Sequence, residues 1–235
     1  MRVLFHLLCL FLLVYACAPA YRPTVLHTPL YTEHGDYSGS AHTGVNSFDG
    51  HVGGAITDNI GFMVSGSYTD RELGPDSYRL NNHLEFSPGA FYSPDENFVL
   101  EAYGGYGFGW IESQGSFTLG NSTSIRTVSG NYSKLFIQPG IGVTSEVVDA
   151  GLHLRFSSVY FPDLRTSQGN ELFFRGRNNF IEPVLTFRLG YQYIKFNIQA
   201  GLSLPTNELA YEYNPFILSI GAVIDIRKRY YNQND

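Results

Sequence analysis

Cysteine and lysine are the residues this sequence most conspicuously lacks. Two cysteines occur, Cys9 and Cys17, and Cys9 falls in an N-terminal stretch read below as a discarded signal, so the mature chain has no pair for an internal disulfide. Lysine occurs at 134, 195 and 228 only; charged residues make up 15% of the chain and the net charge is −6, which excludes the basic footprint of a nucleic-acid-binding domain. Arg227-Lys228-Arg229 reads as a solvated tail. The apolar run Val3 to Val14 falls short of the ~20 residues a helix needs to cross a bilayer. A Gly-rich phosphate loop, metal-spaced Cys or His and a Gly-x-Ser-x-Gly elbow are all missing, so no cofactor or metal is called for.

What is abundant points to strands. The chain has 25 Gly and 15% aromatics, with 17 Tyr and 18 Phe, and its 43% hydrophobic content is that of a folded protein.

The N-terminus has the form of an export signal. Met1-Arg2 is a short positive start and Val3 to Val14 an apolar core. Val14-Tyr15-Ala16-Cys17 resembles a bacterial lipobox, which implies acylation of Cys17 as the mature N-terminal residue; Tyr15 departs from the small or branched residue usual there. The alternative is an ordinary cleavage before Tyr21 after Ala18-Pro19-Ala20. A lone terminal Cys in an exported chain fits the acylated form, and several acyl chains hold a protein to a membrane far better than one. Pro19, Pro23 and Pro29 interrupt any regular element, so 18–35 reads as a tether.

From Asp36 onward the hydrophobic period is two. Leu100, Ala102, Tyr106, Phe108 and Trp110 alternate with Glu101, Tyr103, Gly105 and Gly107, and the same pattern recurs over 135–147, 150–160, 181–193, 196–204 and 216–225. A soluble sandwich alternates too, but its strands average five or six residues, whereas these approach the ~10 needed to cross a bilayer with tilt. The minor face is built from Gly, Ser, Thr, Asn and Gln with single charges, the composition of a hydrogen-bonded lumen; Glu85, Glu101, Glu146, Glu182, Arg155 and Arg188 are its candidate polar network. Tight joints at Thr57-Asp58-Asn59, Ser93-Pro94-Asp95-Glu96, Val148-Asp149 and Ile194-Lys195 alternate with longer polar segments at 71–77, 116–130, 162–178 and 205–213. Outer-membrane barrels alternate this way, with short turns facing the periplasm and long loops facing outward.

The reading is therefore an all-β, single antiparallel up-and-down transmembrane β-barrel of about ten strands. They lie near 36–43, 50–57, 60–70, 78–92, 97–113, 131–147, 150–161, 179–193, 195–204 and 214–226, with a reversal over Gly44–Gly50. Eight strands with a tethering N-terminal segment is the alternative. Even parity returns both termini to the periplasmic side, and Tyr92, Trp110, Tyr160, Phe161, Tyr191, Tyr193 and Phe216 are candidate interfacial girdle residues. The organisation is signal peptide 1–16, lipidated tether 17–35, barrel 36–228 and tail 229–235.

Tyr21-Arg22-Pro23, Thr28-Pro29-Leu30, Glu33-His34-Gly35-Asp36 and Ala55-Ile56-Thr57-Asp58-Asn59-Ile60-Gly61-Phe62-Met63 resemble small outer-membrane β-barrel lipoproteins of Bacteroidota, a largely uncharacterised family. The resemblance is sharpest over residues 1–70. It implies a Gram-negative outer-membrane location but no activity. Surface lipoproteins of that group often carry an acidic cluster after the acylated Cys; Ala18–Pro23 has none, which by the same resemblance puts the anchor in the periplasmic leaflet.

The expected function is non-enzymatic, structural or interactive, either displaying the long loops or serving as an accessory subunit of an outer-membrane assembly. The expected partners are outer-membrane lipids, through the barrel and acylated Cys17, and a protein of such an assembly. A narrow pore for small solutes is the first alternative and a lipid hydrolase using His83 or His153 the second, although alternation turns both histidines inward, away from lipid. Acylation is tested directly: a Cys17→Ser variant is expected to lose all incorporation of labelled palmitate, and retained label would refute the anchor.

Overall fold

The computed structural model describes residues 21–44, 47–74, 77–95, 97–119, 122–167, 171–209, 211 and 213–228. The signal peptide 1–16, Cys17 and the tail 229–235 lie outside the described residues.

Eleven strands form one sheet: β1 (Tyr37–Gly44), β2 (Phe48–Ala55), β3 (Ile60–Gly74), β4 (Ser77–Tyr92), β5 (Phe98–Leu119), β6 (Ser122–Thr144), β7 (Val148–Ser167), β8 (Glu171–Tyr191), β9 (Ile194–Leu202), β10 (Leu204–Pro205) and β11 (Phe216–Ile226). From β1 to β9 each strand pairs antiparallel with its predecessor. β11 pairs with both β9 and β1, from Tyr37↔Ile226 to Gly44↔Ser219, so the sheet closes on itself. The two-residue β10 carries on along β8 after β9 ends, at Leu204↔Ile181. The barrel proper therefore has ten strands, and closure leaves no unpaired edge.

The expected reversal between β1 and β2 is present, with Gly44 N–H donating to Ser47 O at 2.9 Å. Two joints fall beside their predicted places. Val148 and Asp149 already belong to β7, the turn being Ser145–Val147, and Ile194 and Lys195 already belong to β9, the turn being Gln192-Tyr193. Side-chain capping explains the first, because Ser145 Oγ accepts the Val148 N–H at 2.9 Å and closes the turn earlier than composition suggests.

Three of the predicted long loops are instead extended hairpins. β5 and β6 stay in register out to Leu119↔Ser122, while β7 and β8 pair to Ser167↔Glu171 and β3 and β4 to Gly74↔Ser77, each across one register shift, at Phe161/Leu164 and Glu72/Gly74. Segments such as Ile125-Arg126-Thr127-Val128 are polar enough to read as loop, yet their β-branched residues pair readily once a partner strand lies alongside. The connection after β10 is the exception: among its described residues the only pairing is the isolated bridge at Tyr213.

The barrel is inside-out relative to a soluble one. Its largest fully buried side chains are Arg155, Arg188 and Arg227, while Leu135, Leu185, Phe108 and Ile194 are exposed by 57–63%. The outward positions across the ten strands, from Tyr37, Gly39 and Ala41 on β1 round to Leu218, Ile220, Ala222 and Ile224 on β11, carry no charged residue between Ile60 and Tyr68, Leu84 and Tyr92, Leu100 and Phe108, Leu135 and Val143, Ala150 and Phe156, Leu185 and Tyr191, or Ile194 and Leu202. An uncharged apolar band of that strand length matches the ~25 Å lipid-facing band of outer-membrane barrels. Tyr92 and Tyr191 are exposed at the turn end, as girdle positions require, but Phe161 is fully buried. Tyr160 and Phe161 are adjacent, so pleating sends only one of them outward.

Leu185 lies mid-strand with Leu152 and Ala200 as its partners. Leu185→Arg is expected to cost about 2–4 kcal/mol, the mid-bilayer value, in denaturant unfolding from lipid vesicles; an unchanged midpoint would show that this face does not meet lipid.

Candidate functional site: the occupied lumen

The stretch read as a tether occupies the barrel from residue 21. Tyr21, Val25, Leu26, His27, Thr28, Leu30 and Tyr31 are all under 5% exposed, and they line the axis from one end of the barrel to the other. At the hairpin end Tyr21 forms a parallel bridge with Tyr213, and its carbonyl accepts the Asn214 N–H at 3.1 Å. At the turn end Gly35 N–H donates to Ala55 O at 3.1 Å, and His34 N–H to Asp58 Oδ1 at 3.1 Å. The even strand count does bring the start of β1 and the end of β11 together, but Tyr21 stands at the opposite end, so the expectation that both termini share one side does not extend to it.

A backbone in mid-lumen has no neighbouring strand, and each unpaired N–H or C=O inside a membrane costs several kcal/mol. Wall side chains take the place of that strand. The Gln199 carboxamide accepts the Leu26 N–H at 3.1 Å and donates to the Leu26 carbonyl at 2.7 Å, as a strand partner would. Gln138 donates to the His27 carbonyl at 2.8 Å, Arg188 to the Thr28 carbonyl, and Glu101 Oε2 accepts the Leu30 N–H at 3.0 Å. Pro23 and Pro29 have no N–H to satisfy. Leu30 has a left-handed φ of 54°, a strained turn for a side-chain-bearing residue, held between the Glu101 hydrogen bond and the wall at Gly142.

Four polar nodes surround the segment. Glu85 pairs with Lys134, with Arg155 at 3.4 Å and with His83 at 2.8 Å, and Thr24 of the segment contacts Lys134 at 3.1 Å and Glu85 at 3.3 Å. His153 pairs with Glu101 at 2.7 Å. Glu182 accepts from Tyr21 at 3.3 Å and from Ser157 and Ser203 at 2.8 Å each. At the turn end Asp149 meets Lys195 at 2.7 Å and Arg188 and Arg227 at 3.7 Å, while Asp225 meets the same two arginines at 3.4 Å. Beside the segment, the rings of His27 and His51 stack at 5.2 Å, and His42 packs edge-on against His51 at 5.2 Å. Above these nodes Tyr21, Tyr132, Phe161, Phe180 and Tyr211 close the hairpin end with an aromatic cluster, and Tyr21 stacks on Phe180 at 4.5 Å. A cavity of about 20 Å³ remains beside Arg22–Val25, room for one water.

Five of the six residues expected in the lumen network face the lumen: Glu85, Glu101, Arg155, Glu182 and Arg188 are each at most 4% exposed. Glu146 does not join them. It sits in the Ser145–Val147 turn, where its carbonyl accepts the Gln192 N–H at 2.7 Å. Sequence reasoning overlooked Lys134, Lys195, Asp149, Asp225 and Arg227. The signal was present, because Lys134 and Lys195 occupy the same inward parity as Gln138 and Gln199 in a chain with almost no lysine.

Glycine makes the fit possible. A Cβ on Gly53 would come within 2.5 Å of the Tyr31 hydroxyl, and one on Gly142 within 2.5 Å of Leu30, so at both places the wall must be bare for the segment to pass.

Closed ten-strand topology, an uncharged apolar exterior and a polar, filled interior together define an outer-membrane-type β-barrel. No protein-family model matches the chain, and no curated protein matches it significantly. Among solved structures, the translocator domain of autotransporter NalP from Neisseria meningitidis is similar with a TM-score of 0.45 and 12% identity, covering 82% of this chain and 86% of that one.

Removing one partner of a buried ion pair costs about 3–5 kcal/mol because the remaining charge is stranded. Glu85→Ala strands both Lys134 and Arg155 and is expected to lower stability by about that amount, as measured by urea unfolding; a loss below ~1 kcal/mol would show that the node contributes little.

Proposed function

We propose that this protein is a lipid-anchored, non-enzymatic β-barrel of a Gram-negative outer membrane, whose role is structural or interactive. The observation that carries this reading is the lumen, filled along its length by residues 21–35 and bonded to them from nearly every side. A filled barrel offers its surroundings two surfaces: the lipid-facing belt, and the β3–β4, β5–β6 and β7–β8 hairpins that stand beyond it. The partners proposed are outer-membrane lipids, through the belt and an acylated Cys17, and a protein of an outer-membrane assembly that docks on the hairpins. Family kinship with the Bacteroidota lipoproteins is proposed on the resemblance of residues 1–70 alone.

The two histidines considered for hydrolysis support the non-enzymatic reading. Both lie within the wall, with Nε2 held by Glu85 or Glu101, and neither presents a ring to the lipid side from which a lipid substrate would arrive.

A pore is the second reading because the filling segment is held in the lumen by non-covalent contacts and is continuous with the wall where it enters β1 through the turn at Glu33–Asp36. The full-length protein in planar bilayers is expected to show no steady unit conductance, whereas deletion of residues 21–32 is expected to open one. Steady conductance from the full-length chain would overturn the plugged reading.

A further inference from the structure

The filling segment has a direction, and that direction places the chain's N-terminal side. Tyr37 and Ile226 mark the turn end of the barrel wall, and the segment starts from there at Asp36. Followed backward it passes Ser38 (through Tyr31), Glu101 (through Leu30), Arg188 (through Thr28), Gln199 (through Leu26) and Arg155 (through Thr24). It leaves the wall's polar nodes at Tyr21, against Tyr213, Phe180 and Tyr211 at the hairpin end. The ten steps from Tyr31 to Tyr21 can reach ~33–36 Å when extended, enough to traverse a ~25 Å hydrophobic band.

We infer that the chain crosses the membrane once more inside its own barrel, and that everything preceding Tyr21 emerges on the same side as the β5–β6 and β7–β8 hairpins. Covalent geometry closes the alternative. Cys17 is four residues from Tyr21, a reach of at most ~14 Å, too little to return to the turn end even if a path existed. An acyl group on Cys17 therefore enters the leaflet on the hairpin side. With the hairpins facing outward, that side is opposite to the periplasmic leaflet expected from the absent acidic cluster, and an acylated Cys17 would have been carried across inside the barrel. Which leaflet this is in the cell rests on the outer-membrane reading proposed above; the shared side of N-terminus and hairpins does not.

Three single-tag versions of the full-length chain test the inference in intact cells. One epitope is inserted between Ala20 and Tyr21, one in the β7–β8 connection and one after Asp235, and each is probed with antibody before and after permeabilisation. The first tag is expected to behave like the second, reachable on intact cells, and unlike the third. If it behaves like the third, the inference fails. If the β7–β8 tag is reached only after permeabilisation, the expectation that these connections face outward is wrong, and the N-terminal tag is then expected to follow it. A tag-free measurement guards against misfolding: Tyr21→Cys with Tyr213→Cys is expected to form a disulfide in nearly all of the protein on mild oxidation, since bridged positions lie within disulfide reach. No cross-link in a barrel that still shows a heat-dependent electrophoretic shift would overturn the placement of Tyr21.

Discussion

Everything inside this barrel depends on one constraint: a polypeptide that runs through a lumen surrounded by lipid must have its backbone groups answered by the wall around it. Gln199 answers both groups of Leu26, and Gln138, Arg188 and Glu101 answer the next turns of the path. Those wall residues come from four strands, β5, β6, β8 and β9, so the segment ties together parts of the sheet, such as β5 and β9, that never pair directly. The polar face that looks excessive for a wall is proportioned to a wall plus an occupant.

The same constraint explains the charge economy. Cations and carboxylates inside a membrane persist only when paired. Asp149 and Asp225 share Arg188 and Arg227 and Asp149 also takes Lys195, while Glu85 is shared by Lys134, Arg155 and His83. Each node links several strands, and the Glu85 node also holds Thr24 of the segment. Loss of the occupant would leave those groups facing a void or water.

Position along the axis divides the molecule by chemistry. The turn end is fixed by ion pairs and capped turns, the middle by amide-to-backbone bonds, and the hairpin end by stacked aromatic rings that include Tyr21 itself. The hairpins rise from that aromatic end with their pairing intact well past the belt. They are paired extensions of the wall, unlike a set of open loops.

Strand number, the outward belt and the inward Glu and Arg residues were legible in the sequence because pleating imposes a period of two that survives in any strand, whatever surrounds it. The same period contained Lys134 and Lys195, and it allows only one of Tyr160 and Phe161 to face outward, although both read as girdle residues; the structure buries Phe161. Turn positions slipped by one to three residues where a side-chain cap such as Ser145 decided them, and Glu146 was lost from the network for that reason. The fate of residues 21–35 was not legible at all. Two prolines, Pro23 and Pro29, and no periodicity describe a tether and a lumen occupant equally well, because an occupant's bonds go to Gln199, Gln138 and Glu101, which lie far along the chain. By itself the sequence determined a wall, with one face for lipid and one for polar groups. Only the closed tertiary structure decided that the wall surrounds its own N-terminal segment, and in which direction that segment runs.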